Sequence, residues 1–451
     1  MERIVIVGAG LAGLRAAERF RELGFEGQLV IVGAERGRPY HRPALSKQLL
    51  TGELRGNDLT LRSYVELDAQ WRPATMARRL DVRRRVVELP GEEELRYDGL
   101  VIATGVEPRH LPGAARHDPR VHMLRTLRDG IAVRRTLTEG SGPVAVIGGG
   151  FTSCEVASTL RTLGRDVTLV SRGDVLLKRV FGERMGAWFR ELHRSRGVSL
   201  VLGTEIMNWI PHRSALGLHL STGQLLMASC VVLSVGSVPA VGWLRGSGLT
   251  IEDGVLCEPT CHVVGAPDVV AAGDVARWPN LRYGPSPQRM EHWLNAAEMG
   301  RAAAESLLAG RDFAQPFTPL PRFWSEQHGL RLQAAGAPVL GESTIQLSGK
   351  EFGRGVTGYL RRGNLIGLVG LDSPRGMLRW TAELGRQCQP ARRRDSVTAG
   401  QPTPYLTSPR PACELEPLPS LESAPGPLSI RTRRSQPRPA AAPECRAPGV
   451  Q

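Results

Sequence analysis

Short apolar runs alternating with amphipathic stretches organise the first 240 residues. Ile4-Val5-Ile6-Val7 is continuously apolar, too short for a helix, and runs into Gly8-Ala9-Gly10-Leu11-Ala12-Gly13. An apolar run of this length closed by glycine predicts a strand buried on both faces. The stretch after it, ending at Leu23-Gly24, predicts a helix stopped by glycine, and an apolar run at 28–32 predicts a second strand. The same pattern returns 140 residues later. Val144-Ala145-Val146-Ile147 runs into Gly148-Gly149-Gly150-Phe151-Thr152-Ser153, then a helical stretch to Leu163-Gly164 and an apolar run at 166–170. Gly8 corresponds to Gly148, Gly10 to Gly150, Arg21 to Arg161 and Gly24 to Gly164. Two βαβ units in one chain mean two nucleotide sites, or one ancient duplication.

The pattern changes after Gly236. Val269-Val270 leads into Ala271-Ala272-Gly273-Asp274-Val275, and residues 291–308 read as a helix. Residues 321–390 read as mixed, with alternating strands at 355–360 and 365–370. From Ala391 the last 61 residues hold twelve prolines and no sustained period, which predicts a disordered tail.

Length and composition narrow the class. A chain of 451 residues implies two or three domains, and 41% apolar content is enough for real cores. The net charge is +14; the segment from Ala391 has nine Arg and five acids, leaving +10 on the body. That excess points to an acidic partner or to polyanions. No nucleic-acid motif and no basic stripe interleaved with aromatics accompanies it, so no nucleic-acid partner is expected. The seven cysteines are scattered without a Cys-x-x-Cys pair, and Cys257 and Cys261 have no second pair to complete a metal site. Dispersed thiols fit a reducing cytoplasm. A strand beginning at Arg3 leaves no room for a signal peptide, and no apolar run approaches the ~18 residues of a membrane span.

Each glycine loop, placed between strand and helix, lets backbone approach a pyrophosphate where unpaired N–H groups and the helix dipole favour negative charge. Glu35, at the end of the next strand, is the expected acceptor for a ribose hydroxyl. The second loop departs at its third position, where Ser153 replaces glycine and pushes its helix slightly away from the strand. The strand after that helix ends Val170-Ser171-Arg172-Gly173 with no carboxylate until Asp174. An acid there would accept from adenosine ribose and repel a 2′-phosphate; Ser171 and Arg172 instead favour one, which predicts NADPH over NADH.

Several further motifs occur in order: Pro39-Tyr40-His41-Arg42-Pro43-Ala44-Leu45-Ser46-Lys47, Ala103-Thr104-Gly105, Leu124-Arg125-Thr126, Gly273-Asp274, Glu291-His292-Trp293 and Phe323-Trp324-Ser325. Over residues 3–385 the chain resembles the flavin-dependent pyridine-nucleotide reductases that feed ferredoxins or rubredoxins, the putidaredoxin-reductase-like family. The resemblance implies an α/β fold of two Rossmann-like dinucleotide-binding domains, one inserted in the other, with a small α+β C-terminal domain. The expected FAD domain covers 1–113 and 237–320, the NAD(P) domain 114–236, the interface domain 321–390 and the tail 391–451.

The resemblance also implies site roles. Gly8, Gly10, Ala12 and Gly13 match the FAD pyrophosphate loop and Glu35 its adenosine ribose contact. Arg42, Ala103, Thr104, Gly105 and Gly273 fall within matched motifs. Ala77 matches a backbone contact to adenine, Arg125 an FAD-contacting arginine, Asp274 the acid on the ribityl chain and Trp293 a neighbour of the flavin pyrimidine. Lys47 matches a lysine beside the reactive flavin edge, and Glu155 its partner near the nicotinamide. Gly148, Gly150, Ser171, Arg172 and Gly236 are assigned to the second nucleotide. A cation at Lys47 suits a flavin that gains negative charge on reduction. The disulfide reductases of this fold carry a cysteine pair soon after the first βαβ unit; residues 36–60 contain none. The expected activity is therefore electron transfer from NADPH or NADH through FAD to an acidic iron–sulfur ferredoxin or rubredoxin, by a monomer or homodimer. The ferredoxin is expected to serve a cytochrome monooxygenase system. Two other readings stand beside it: an NADH oxidase or quinone reductase, and a redox-responsive flavin-binding signalling protein.

Overall fold

The computed structural model describes residues 1–350 and 353–387; the proline-rich segment from Ala391 lies outside them. β1 (Arg3–Val7) runs into the first glycine loop, α1 (Leu11–Glu22) leaves it, and β2 (Gln28–Val32) returns parallel to β1 with Val5 opposite Val30. Ile4 to Val7 are buried, as a strand covered on both faces must be. β3 (Ala69–Arg72) and β4 (Gly99–Ile102) widen this sheet, and β5 (Val106–Pro108) leads the chain out of it.

The second sheet is built from β6 (Val121–Met123), β7 (Val144–Ile147), β8 (Val167–Ser171), β9 (Ser199–Leu202) and β10 (Cys230–Leu233), in the order β9-β8-β7-β10-β6, all parallel. Its helices are α2 (Leu127–Glu139), α3 (Phe151–Thr162) and α4 (Lys178–Ser195), the last interrupted at Gly182, where φ is +76°. β11 (Ser237–Pro239) then pairs antiparallel with β5. The chain re-enters the first sheet as β12 (Val269–Ala271), giving the order β12-β4-β1-β2-β3. α5 (Trp293–Ala309) crosses α1 closely; a Cβ on Gly300 would lie 2.3 Å from the Ala12 carbonyl oxygen.

The repeat extends to how the helices stop. Leu23 N–H donates to Arg19 O and Phe25 N–H to Phe20 O; Leu163 and Arg165 make the same pair of bonds to Thr159 and Leu160. Arg21 and Arg161 each donate to the carbonyl four residues on, Phe25 O and Arg165 O. The two folds thus share a C-terminal lock as well as a loop.

The C-terminal segment is an antiparallel sheet of β13 (Arg322–Gln327), β14 (Leu330–Gly336), β15 (Ser343–Gly349), β16 (Gly355–Arg361) and β17 (Asn364–Leu371), in the order β13-β14-β17-β16-β15, with α6 (Pro374–Gln387) packed on it. Its face merges with the second nucleotide fold. Leu332, Ala334, Val369 and Leu371 share one apolar cluster with Val146, Leu160, Phe181 and Phe189, and Tyr359 Oη donates to Phe181 O at 3.1 Å.

Candidate functional site

The first loop is shaped by what a side chain would collide with. Gly8 has φ +125°, and a Cβ there would lie 2.1 Å from Ala103 O. A Cβ on Gly13 would lie 2.0 Å from Gly8 O, so this glycine brings α1 against the loop. Gly10 differs: it caps α1 with no side-chain hydrogen bond, and a Cβ on it would meet nothing within 4 Å. Open space in front of an uncapped helix N-terminus is what a pyrophosphate requires.

That space belongs to a cavity of about 820 Å³. Gly8, Gly10, Ala12, Glu35, Arg42 and Ala77 line it, as do Ala103, Thr104, Gly105, Arg125, Glu155, Asp274 and Trp293. Thirteen of the residues singled out from sequence therefore face one enclosure. Gly273 sits behind the wall, where φ +77° turns the chain and a Cβ would press on Ala12 at 3.0 Å. No cysteine is among the lining residues. The enclosure fits FAD: a hollow of about 820 Å³ with a glycine cradle at an uncapped helix and polar groups in its lining.

The polar groups hold one another in place. Glu35 accepts from Tyr40 Oη at 2.8 Å and pairs with Arg42 at 2.8 Å, and Arg42 also donates to Arg125 O at 2.6 Å. A carboxylate oxygen has further lone pairs, so Glu35 keeps capacity for a hydroxyl donor. Arg125 reaches Asp274 at 3.4 Å. Burial pushes the Asp274 carboxyl up, and Arg125 opposes this. Burial and the neighbouring Arg42 push the Arg125 guanidinium down. Trp293 opens α5 and packs edge-on against His41, ring centroids 5.2 Å apart.

Glu155 and Ser46 line the cavity and Lys47 stands behind them, its Nζ 2.6 Å from Glu155 Oε2, with both charged side chains little exposed at 13% and 11%. The two charges are therefore paired and largely removed from water. Ser46 Oγ donates to Glu155 Oε2 at 2.6 Å and Ser325 Oγ donates to Oε1 at 2.7 Å. Thr159 Oγ1 donates to Ser46 O at 2.8 Å, and His328 N–H donates to Ser158 Oγ. Positions 155, 158 and 159 share one face of α3, so this face is a buried polar seam. It joins the loop 43–47, the second nucleotide fold and β13. Ser46 and Ser325 were not singled out from sequence, although both lie within motifs that were.

The second loop repeats the first. Gly148 has φ +132°, and a Cβ there would lie 2.1 Å from Ser234 O; Gly150 caps α3 without a side-chain bond and faces open space. Ser153 is fully buried and donates to Ser234 O at 3.1 Å. The matching Gly13 tolerates no Cβ, whereas the second loop accommodates the Ser153 side chain. Ser171 lies under this loop: its Oγ accepts from Gly173 N–H at 3.1 Å, and a Cβ on Gly149 would lie 2.6 Å from it. Arg172 is largely exposed and 4.0 Å from Glu205. Lys178 is engaged by Asp174 at 3.4 Å and Glu183 at 2.9 Å. Gly236, with φ +102°, leads into β11. These residues lie outside the large cavity.

Among the described residues no cluster of His, Cys, Asp or Glu could hold a metal ion, and no helix is long and apolar enough to cross a membrane. The sequence pattern of the pyridine nucleotide-disulphide oxidoreductases matches residues 2–300, and that of a reductase C-terminal domain matches 322–399. The chain is 32% identical to the ferredoxin–NAD(+) reductase subunit of the benzene 1,2-dioxygenase system of Pseudomonas putida, over 82% of this chain and 90% of that one. It is 34% identical to the ferredoxin–NAD(+) reductase component of the biphenyl dioxygenase system of Paraburkholderia xenovorans, over 74% and 81%. The reductase in the crystal structure of the covalent putidaredoxin reductase–putidaredoxin complex superposes with a TM-score of 0.80 at 29% identity, over 86% of this chain and 93% of that one.

Proposed function

The chain belongs to the pyridine nucleotide-disulphide oxidoreductase family and is an oxidoreductase; within that family we propose that it is an FAD-dependent NAD(P)H:ferredoxin reductase of an oxygenase system. The observation that carries this reading is a dinucleotide-sized cavity with no cysteine in its lining, whose wall residue Glu155 is paired with Lys47 at 2.6 Å. These relatives are ferredoxin reductases of dioxygenase systems, which supports the acceptor.

Bound FAD would supply the conversion of a two-electron hydride from the nicotinamide into two single electrons, one for each of two iron–sulfur acceptor encounters, with one proton released. The chain's own residues prepare for this. The Gly8–Gly10 backbone and the α1 N-terminus hold the pyrophosphate, Glu35 accepts from ribose, and Asp274 and Arg125 fix the polar chain between the two ends. Lys47 is fixed 2.6 Å from Glu155, ready to offset negative charge gained on reduction. With no cysteine pair in the wall, electrons leave to an outside protein. The partner is an acidic ferredoxin, and the four buried unpaired thiols among the described residues fit a cytoplasmic protein.

For the coenzyme we infer NADPH. Gly8 N–H and Gly148 N–H bond to Val32 O and Val170 O respectively, which makes Gly173 the counterpart of Glu35. No carboxylate stands there, while the Ser171 hydroxyl and the exposed Arg172 suit a 2′-phosphate. The relatives are named for NAD(+), so comparing kcat/KM for the two coenzymes is decisive; tenfold preference for NADH overturns this part. The function is tested by NAD(P)H-driven cytochrome c reduction with and without added ferredoxin. Ferredoxin-dependent turnover is expected; reduction of oxygen or quinones alone overturns it.

A further inference from the structure

The Lys47–Glu155 pair continues into a buried hydrogen-bond chain that crosses into the C-terminal sheet. Ser325 Oγ meets Glu155 Oε1 at 2.7 Å, Gln327 Nε2 meets Ser325 Oγ at 3.0 Å, His193 Nε2 meets Gln327 Oε1 at 3.1 Å, and His328 Nε2 meets His193 Nδ1 at 3.0 Å. Ser325, Gln327 and His193 are 1%, 2% and 0% exposed. The direction of every bond follows from one end. An ionised carboxylate only accepts, so Ser325 spends its single proton on Glu155. Ser325 must then accept from the Gln327 amide nitrogen, which turns the Gln327 oxygen toward His193. His193 therefore donates through Nε2 and, being neutral, accepts at Nδ1 from His328. Burial supports neutrality, holding the His193 imidazole down at about 4 and that of His328 at about 3. All donors point toward Glu155, the arrangement in which hydrogen bonds polarise one another.

We infer that Ser325, Gln327 and His193 are positioning residues, through which the C-terminal sheet and α4 fix the carboxylate plane of Glu155 and thereby the place of the Lys47 ammonium. The terminal torsion of a glutamate is soft, so rotamer preference does not set that plane. Lys47 and Ser46 both bind Oε2, and among the described residues Ser325 alone holds Oε1. Without Ser325 the group turns about its last bond. The chain is not a proton wire: the Gln327 amide between Ser325 and His193 has no titratable proton to pass on. This inference rests on the proposed role of Lys47 beside bound flavin.

The test uses the FAD-loaded protein. Ser325→Ala removes one oxygen from the chain, and Gln327→Met keeps side-chain length while removing both amide contacts. Both are expected to retain FAD. Both should lower the limiting rate of flavin bleaching by reduced nicotinamide about tenfold, with its half-saturating concentration little changed. The flavin midpoint potential should fall in parallel, by about 30 mV for a tenfold change in a two-electron couple. Adding either change to Lys47→Ala should slow bleaching no further. If Lys47→Ala slows bleaching while Ser325→Ala and Gln327→Met keep the wild-type rate and potential, the positioning role is refuted and the reading of Lys47 survives. If Lys47→Ala itself changes neither, the underlying reading fails. Should Gln327→Met not hold FAD, Ser325→Ala alone decides.

Discussion

Lys47 carries its charge where little water reaches, and Glu155 makes this tolerable. Breaking a buried pair leaves one charge uncompensated, so Lys47→Ala acts on stability as well as on chemistry. We expect FAD to be largely retained and stopped-flow flavin reduction to slow ten- to a hundredfold, about 1.4–3 kcal/mol of barrier. The double change Lys47→Ala/Glu155→Gln should recover stability but not rate; an unchanged rate in Lys47→Ala returns it to an ordinary loop residue. His193 gives a second prediction. Burial lowers its imidazole to about 4 in the folded protein, while the unfolded chain takes up that proton near pH 6.5. The unfolded state therefore binds more protons between those values, and the contribution is intact above pH 6.5 and lost as pH falls toward 4. The full loss is of order 3 kcal/mol. Thermal unfolding from pH 7.5 to 4.5 should show a steeper decline for wild type than for His193→Gln, and parallel curves would refute this. Lys47 and Glu155 were legible because the motifs around them have a known chemistry. Gln327 and His193 were not: they are 134 residues apart, and nothing local marks either as part of one chain.

The elements were legible where a short-range rule fixes them. Strands expected at 355–360 and 365–370 run over Gly355–Arg361 and Asn364–Leu371, and the helix expected at 291–308 runs over Trp293–Ala309. The repeat of 140 residues located both glycine loops, but it slips to 138 at β2 and β8, since Val32 and Val170 accept from equivalent glycines. Pairing register, which sequence spacing does not reveal, therefore decides which residue answers to Glu35. Two predictions belong here. Gly10→Ala should leave the unfolding midpoint of the apoprotein nearly unchanged, because its Cβ would meet nothing within 4 Å. It should still weaken FAD binding at least about tenfold, about 1.4 kcal/mol, because the Cβ enters the pyrophosphate cradle. Equal FAD affinity in the variant would mean that the cradle lies elsewhere. At the second loop, Arg172→Ala should lower kcat/KM for NADPH about ten- to a hundredfold while sparing NADH, the loss of one charge-assisted bond of roughly 1.5–3 kcal/mol. An equal loss for both coenzymes would place Arg172 on a group the two share and remove the 2′-phosphate contact.

At the scale of the molecule, composition indicated several domains but not how they join. The third sheet shares an apolar cluster with the second nucleotide fold through Leu332, Val369 and Tyr359, and it supplies Ser325 to a carboxylate on α3. Such contacts arise between segments far apart in sequence, each with an ordinary local pattern. Charge, by contrast, is a whole-chain property. The body carries +10 and the segment from Ala391 a further +4. A field of one sign speeds encounter with a partner of the other sign and leaves the bound complex less affected. Mobile ions screen it over about 8–10 Å at physiological ionic strength and over roughly 3 Å at 1 M. If the acceptor is an acidic ferredoxin, kcat/KM for ferredoxin-dependent cytochrome c reduction should therefore fall about tenfold or more between roughly 50 and 500 mM salt. Reduction of ferricyanide, a small acceptor that needs no docked protein surface, should change less, and kcat at saturating ferredoxin should hold. The two acceptors measured on one preparation separate long-range attraction from a general effect of salt on the flavin site. A ferredoxin kcat/KM that stays flat with salt removes the electrostatic claim while leaving the reductase activity standing, because the Lys47–Glu155 pair and the glycine cradle owe nothing to surface charge.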